Sequence, residues 1–591
     1  MKYFTMNKHN DDSINDGVLY FAQRIDEMLN PSTSHIYKAP VHNIRTLIKE
    51  YLTTQDSVMT EQINNTHLKS VFEEFLESYK NDVIIKKFIG KEEQNSILSK
   101  LNTNSETEKS KLMYYLYHRL CRYNLWCKEY LLEIVPQAKE KKLIEQTLRS
   151  YVSGLIDYGY SSNYIHRYNK RVFNKTDENE LNMLSEFVNR FDFKVREYDV
   201  YVALNKKSVS FKEILIDNLD VEFEFDKNKA KKFKYPIDKY ILAKLKIKAL
   251  DQGQAANFAY NQLNIFYKFY RFMNDDGKKW FLNKCMVCYS DVEYSFIDLK
   301  VQRYNVPEHD DPEEAGELSK LLITALLTKA QTTFDLIEKI ISLHNTAIEN
   351  TNLSNGFLNL WSILEVLFVS DNDCSKIKEI EKKLIPLLQK EYIVMIFKDL
   401  DNNLRDNLSR EHYDEILNSI DGNENKYKIA ALITLNKYEE LRKTLYTYLK
   451  AYPVLRSRIY QLSNLCKRKC DFLDELERFT KRIKWHLIRL YRTRNSIIHS
   501  GNEPKNLKLL GEHLHSYVDV CIWEIMASLT TEKCLYSIEN VLIDEMFQIE
   551  RILNDLSSKE KFKEDDIFLC CNSIEYSTPP SIGENVKHQN E

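Results

Sequence analysis

"YRTRNSIIHSGN", residues 491–502, sets an arginine where the surrounding helix pattern calls for leucine. Counting back from Arg494, apolar residues fall at Ile483, Leu487 and Leu490; counting forward, Ile497 and Ile498 follow. Steps of three and four mark the core-facing stripe of an amphipathic helix. Gly501 is suited to the left-handed backbone that ends a helix and Pro504 forbids its continuation, so His499 belongs to the last turn. There the negative end of the helix dipole favours imidazolium, by a few tenths to about one kcal/mol. Asn495 and His499 stand one above the other at i and i+4, and Arg492 extends their face. Arg494 lies on the adjoining face, about 100° around from Asn495.

A second helix needs this arginine. In "NGFLNLWSILEVLFVS" (355–370) nearly every residue is apolar, and the polar ones, Asn359, Ser362 and Glu365, fall three apart on one strip. A buried carboxylate needs a donor and a buried guanidinium needs an acceptor. The two helices are therefore expected to pack together with Glu365 orienting Arg494. An arginine fork beside a histidine that can hold or release a proton suits phosphodiester cleavage. The arginine would bind the scissile phosphate, and the histidine would move protons to or from the ribose 2′-hydroxyl or the leaving 5′-oxygen. Such chemistry requires RNA, which alone supplies the internal nucleophile.

The same helix carries a basic run. Between Arg478 and Arg494 stand seven Lys or Arg residues and no acidic one, and Lys467, Arg468 and Lys469 precede them. The formal net charge of the chain is −3, so attraction for polyanions must be local. Lys481, Arg482, Lys484, Arg489 and Arg492 are read as an RNA-binding face beside the Arg–His pair.

At 591 residues the chain is long enough for two to four domains. Residues 1–180 space their apolar residues as helices do, through "HNIRTLIKEYLTT", "LKSVFEEFLESYKNDVIIKKFI" and "KLMYYLYHRLCRYNLWCKEYLLEIV". Pro136 closes the third of these, and Gly159 separates two short helices, the second capped by Ser161 or Ser162. Over 181–305, "FDFKVREYDVYVAL", "VEFEF" and "YILAKLKIKAL" alternate with period two, "GQAANFAYNQLNIFYKFYRFM" is helical, and "KKWFLNKCMVCYS" returns to strand. This predicts a small α+β domain. Residues 306–317, "VPEHDDPEEAGE", hold two prolines and six acidic residues, the composition of a solvated connector. Residues 318–555 read as helical, and 556–591 as a polar, disordered tail. The fold class expected is mainly α.

Several functions are disfavoured. Twelve glycines leave little from which to build a phosphate loop or dinucleotide fingerprint, so no nucleotide cofactor is expected. No apolar stretch approaches the 18 or so residues of a membrane span, and "MKYFTMNKHNDDSIND" lacks the apolar region of a secretory signal. A cytoplasmic location follows as the expectation. Of eleven cysteines, Cys285 and Cys288 make one C-x-x-C and Cys466 and Cys470 sit four apart, short of two clear zinc hooks. Free thiols and no metal are expected. His513 and His515, two apart on different helix faces, are read as structural, and the many Tyr and Phe residues as core.

With these residues in view, "RNSIIHSG" resembles the R-x4-H motif of HEPN domains, and "LNLWSILEVLF" is similar to the Trp- and Glu-bearing helix of the Apea-like HEPN group of bacterial anti-phage proteins. The resemblance covers 318–555. It implies a helical bundle that dimerises with two motifs face to face, and metal-independent RNA cleavage. Carried over, Arg494 and His499 are the catalytic pair, Asn495 the polar residue beside them and Glu365 the supporting acid. Extra helices inserted between the two motifs depart from the family pattern. The implied role is a toxin-like endoribonuclease acting on RNA such as tRNA or mRNA, as a homodimer or higher homo-oligomer, with a phage-encoded protein as trigger. Two alternatives stand beside it: a non-catalytic HEPN dimer that binds RNA or a partner, and a partner of a separate nucleotidyltransferase. Residues 1–305 would sense a trigger or restrain the nuclease, by analogy alone.

Overall fold

The computed structural model describes residues 2–6, 15–30, 33–60, 63–103, 105–175, 178–205, 221–224, 240–273, 281–289, 294–298, 320, 323–324, 331–350, 352–369, 375–422, 424–530 and 537–571. The acidic stretch 306–317 lies outside them.

Ten helices come first among the described residues: α1 (Asp16–Leu29), α2 (Ile44–Met59), α3 (Asn65–Asn81), α4 (Val83–Phe88), α5 (Lys91–Leu101), α6 (Glu106–Arg119), α7 (Tyr123–Ile134), α8 (Lys141–Tyr158), α9 (Ser162–Phe173) and α10 (Glu180–Arg190). Two of the stretches read as single helices are broken. Asp82 leaves helical backbone and caps α4 by accepting from the Ile85 N–H, while its other oxygen takes the Tyr123 hydroxyl proton at 2.5 Å. The chain likewise turns between α6 and α7 so that Leu120 and Tyr123 are both wholly buried. Apolar spacing continues across both turns, so periodicity alone could not locate them. Gly159, at φ 122°, ends α8, and Ser161 starts α9.

The middle of the chain is a five-stranded antiparallel sheet, order β2-β3-β1-β4-β5: β1 (Arg196–Asn205), β2 (Val221–Glu224), β3 (Tyr240–Ala249), β4 (Phe281–Cys288) and β5 (Tyr294–Asp298). Its alternation is legible in β1. Tyr198, Val200, Val202 and Leu204 face helix α11 (Gln252–Met273) and pack with Ala255, Ala256, Ala259 and Leu263, while Tyr201 and Ala203 point to the other face. Cys285 and Cys288 divide between the same two faces, and neither forms a disulfide among the described residues. Helix α10 buries Met183, Leu184, Phe187 and Val188 in the same apolar cluster as the preceding helices.

Eleven helices follow among the described residues: α12 (Gln331–Glu349), α13 (Leu353–Phe368), α14 (Lys376–Asn407), α15 (Arg410–Asn418), α16 (Asn425–Thr434), α17 (Glu439–Tyr448), α18 (Pro453–Leu465), α19 (Lys469–Ser500), α20 (Leu507–Thr530), α21 (Ile538–Leu556) and α22 (Glu564–Cys571). The stretch expected to be a structureless tail from 556 is thus ordered to residue 571. Phe562 and Ile567 are buried, and Asp566 holds Lys469 at 2.7 Å. Residues 572–591 lie outside the described ones.

The two helical regions do not keep separate cores. One continuous apolar cluster joins Phe21, Tyr51 and Phe75 to Trp361, Leu487 and Tyr517. Largely buried ion pairs cross the seam: Arg458 with Glu27 at 2.8 Å, and Arg489 with Glu50 at 2.8 Å. None of the described helices is long and apolar enough to cross a membrane.

Candidate active site

Helix α19 runs 32 residues and buries Ile483, Leu487 and Leu490, the stripe read from spacing. It ends as expected. Gly501 adopts φ 62° and donates its N–H to the Ile497 carbonyl at 3.2 Å. A Cβ there would meet no atom, so the glycine is required by backbone conformation alone. Beyond the cap, Glu503 accepts the Ser354 hydroxyl proton at 2.5 Å, fixing the exit loop to the start of α13.

Helix α13 packs beside α19 with its apolar residues inward; Trp361 is 1% exposed. Four residues on, Glu365 accepts from the Trp361 indole N–H at 3.1 Å through Oε1. The same oxygen lies 3.5 Å from Arg494 Nη2, so the carboxylate is held from below by the indole and presents its charge to the guanidinium. Side-chain exposures of 23% for Arg494 and 21% for Glu365 put this pair at the edge of the core, within reach of a ligand from solvent. Arg494 Nη1 also donates to Asn495 Oδ1 at 3.2 Å. His499 is exposed on the last turn, next to Ile498, which is itself about half exposed. Arg494, Asn495 and Glu365 are therefore in mutual contact, while His499 stands one turn further along, open to solvent.

The basic run divides. Lys481, Arg482 and Lys484 are exposed, with Arg482 paired to Glu475 at 3.0 Å and Lys481 3.9 Å from Glu77. Arg489 and Arg492, expected on the RNA face, instead turn inward. Arg489 donates from Nε and Nη2 to the two oxygens of Glu50, and from Nη2 to Glu74 at 2.5 Å. Arg492 pairs with Glu50 and donates to the His67 carbonyl at 3.2 Å. Burial pushes the Glu50 carboxyl up, but the two guanidinium groups outweigh it and hold it well below the usual carboxylate range. Two of the five arginines and lysines assigned to RNA thus hold α2 and α3 against α19. A charge run looks solvated when its carboxylate partners lie more than 400 residues away.

Histidines line the same seam. His486 exchanges a hydrogen bond with Tyr517 at 3.0 Å and packs its ring 5.0 Å from that of His513, while His67 stacks on Tyr491. Burial, helped by neighbouring cations, lowers His513 to about 3. A neutral buried imidazole stabilises the fold fully only above the ordinary pKa of 6.5, and that contribution is lost as pH falls toward about 3. The advantage of the wild type over His513→Gln in unfolding free energy, read from urea titrations, should therefore shrink as pH falls from 7.5 to 5, by up to about 2 kcal/mol. An advantage constant across that range would show that His513 is not neutral in the fold.

The reading of His515 as structural missed a neighbourhood. His515 lies within 3.4 Å of Asp519 and 3.1 Å of His344. The i, i+4 spacing of His515 and Asp519 was visible in sequence; the third member, on α12, was not.

No protein-family model, curated protein or solved structure matches this chain.

Proposed function

We propose that the chain is a metal-independent endoribonuclease built on a HEPN-like helical bundle, with Arg494 and His499 as the catalytic pair. The observation that carries this reading is the Glu365–Arg494 contact at 3.5 Å, at the edge of the core and one turn from an exposed histidine at a capped helix end. A guanidinium held in place by a carboxylate is preorganised to receive a phosphate, because no side-chain ordering remains to be done when the ligand arrives. Asn495 accepts from the same guanidinium and narrows its orientation further.

The ribose 2′-oxygen attacks phosphorus, the P–O5′ bond breaks, and the products are a 2′,3′-cyclic phosphate and a 5′-hydroxyl. One proton leaves the 2′-hydroxyl and one joins the 5′-oxygen. Each motif contains a single histidine, so base and acid at one phosphate call for two motifs, which a two-fold dimer brings together. Exposed Ile498 beside His499 suits that contact. Lys481, Arg482 and Lys484 remain as the RNA approach surface; Arg489 and Arg492 are withdrawn from it. A role in bacterial anti-phage defence, in the cytoplasm and under a phage-derived trigger, belongs to the same proposal and rests on the resemblance.

The direct test is incubation with total RNA in EDTA, followed by inspection of the fragment ends. Cyclic phosphate and 5′-hydroxyl ends are expected without added metal, and activity that EDTA abolishes and magnesium restores would overturn the mechanism. Light scattering should report at least a dimer; a strictly monomeric species with full activity would remove the two-histidine scheme. A folded dimer that binds RNA without cutting it would leave the non-catalytic HEPN protein as the better account.

A further inference from the structure

Helices α12 and α20 both pack on α13, and on the faces so brought together three metal-ligating atoms converge. His515 and Asp519 leave the same side of α20 one turn apart, and His344 comes from α12. His344 Nε2 lies 2.8 Å from Asp519 Oδ1 and 3.1 Å from His515 Nε2, and His515 Nε2 is 3.4 Å from the same carboxylate oxygen.

We propose that His344, His515 and Asp519 form a binding site for a divalent first-row transition-metal ion of the zinc type. A tetrahedral ion with bonds of about 2.0–2.1 Å separates its ligand atoms by about 3.3 Å, and the three separations here lie within about 0.6 Å of that value. Protons serve this triangle less well. A single N–H can point at one neighbour, whereas protonating both imidazoles at Nε2 sets two donors against each other. A cation placed above the three atoms takes a lone pair from each. Exposure is graded to match: the His515 side chain is 4% exposed, His344 17% and Asp519 27%, so the triangle has a protein floor and one open side where a water completes the coordination. Two imidazoles and one carboxylate suit zinc and its first-row neighbours better than magnesium or calcium, which prefer oxygen alone. Lys38 faces His515 and opposes a cation, but Glu512 holds it at 3.6 Å and also faces the imidazole. The ion would tie α12 to α20 across the helix that carries Glu365. This site does not depend on the ribonuclease reading, since none of its residues belongs to the Arg494–His499 motif.

The experiment uses full-length protein stripped with a chelator and dialysed free of metal. Calorimetric titration with Zn²⁺ should show one ion per chain, and Co²⁺ should give the intense visible bands of tetrahedral coordination; Mg²⁺ should produce neither. Zinc should also raise the melting temperature in a concentration-dependent way. His344→Gln and Asp519→Asn alter partly exposed positions, so their metal-free circular dichroism should match the wild type. Each should weaken zinc binding by more than about tenfold, because even changes behind a ligand cost about that much. Absence of zinc binding by the stripped wild type at micromolar concentrations would overturn the proposal without recourse to any variant. One-equivalent binding that survives in both variants would overturn it too, by placing the ion elsewhere. RNA cleavage is not read in this experiment. The cleavage assay in EDTA is run where the stripped protein stays folded, so the two readings fail separately.

Discussion

His499→Ala is expected to lower RNA cleavage by about 10²–10⁴-fold, the range that a positioned acid or base contributes. The fold should barely register the change. His499 is exposed on the last turn of α19, and the helix end is held by the Gly501 cap and the Glu503–Ser354 hydrogen bond, neither of which involves the imidazole. Its loss should cost about 1 kcal/mol or less in stability. Dimerisation and RNA binding should persist. Arg494→Leu provides the contrast, since it restores the apolar stripe but leaves Glu365, among the described residues, with the Trp361 N–H as its side-chain donor. That variant should be inactive and bind RNA more weakly. Any instability it shows should be relieved by adding Glu365→Gln, as expected of residues in contact. Wild-type cleavage by His499→Ala would end the catalytic reading.

Arg489→Met should have the largest effect on stability. Arg489 is 5% exposed and bridges Glu50 and Glu74, which would be left largely buried with Arg492 as the remaining guanidinium beside Glu50. Removing one partner of a buried ion pair costs about 3–5 kcal/mol, far more than the pair contributes relative to apolar residues, because the remaining charge stays desolvated. Urea denaturation of Arg489→Met should show a loss of that order, and Arg489→Met/Glu50→Gln should recover part of it. An RNA-facing arginine would behave differently: substitution would change stability by no more than about 0.5 kcal/mol and lower RNA affinity instead. A stable Arg489→Met with impaired RNA binding would thus reinstate the solvated face and contradict the packing of α2 and α3 on α19.

What could be read from sequence was mostly local. The end of α19, the pairing of Glu365 with Arg494 and the alternation of β1 all follow from residues within a few turns of one another or from a single unmet need for a partner. The failures are of two kinds. Turns at Asp82 and at 120–122 were missed because apolar spacing carries on through them, and the helix α22 because a polar segment hides two buried apolar residues, Phe562 and Ile567. The inward turn of Arg489 and Arg492 and the third corner of the His344–His515–Asp519 triangle were missed for another reason. Their partners lie 171 or more residues away, and no pattern in one helix reports what another will bring to it.

The shared core of the two helical regions has a consequence for biosynthesis. One of the two arginine partners of Glu27, Arg458, lies 431 residues downstream, and the Tyr3 backbone N–H donates to Oδ1 of Asn407. At about 5–20 residues per second, a ribosome needs about 20–90 s to traverse the interval between Glu27 and Arg458. Throughout that time the first helices exist as an incomplete half, with apolar surface and a buried-site carboxylate still facing water. Until α18 and α19 emerge, the nascent chain therefore exposes apolar surface of the kind that favours aggregation. The Arg494–His499 motif, translated after nearly everything it leans on, is completed only when the rest of the molecule is ready to receive it.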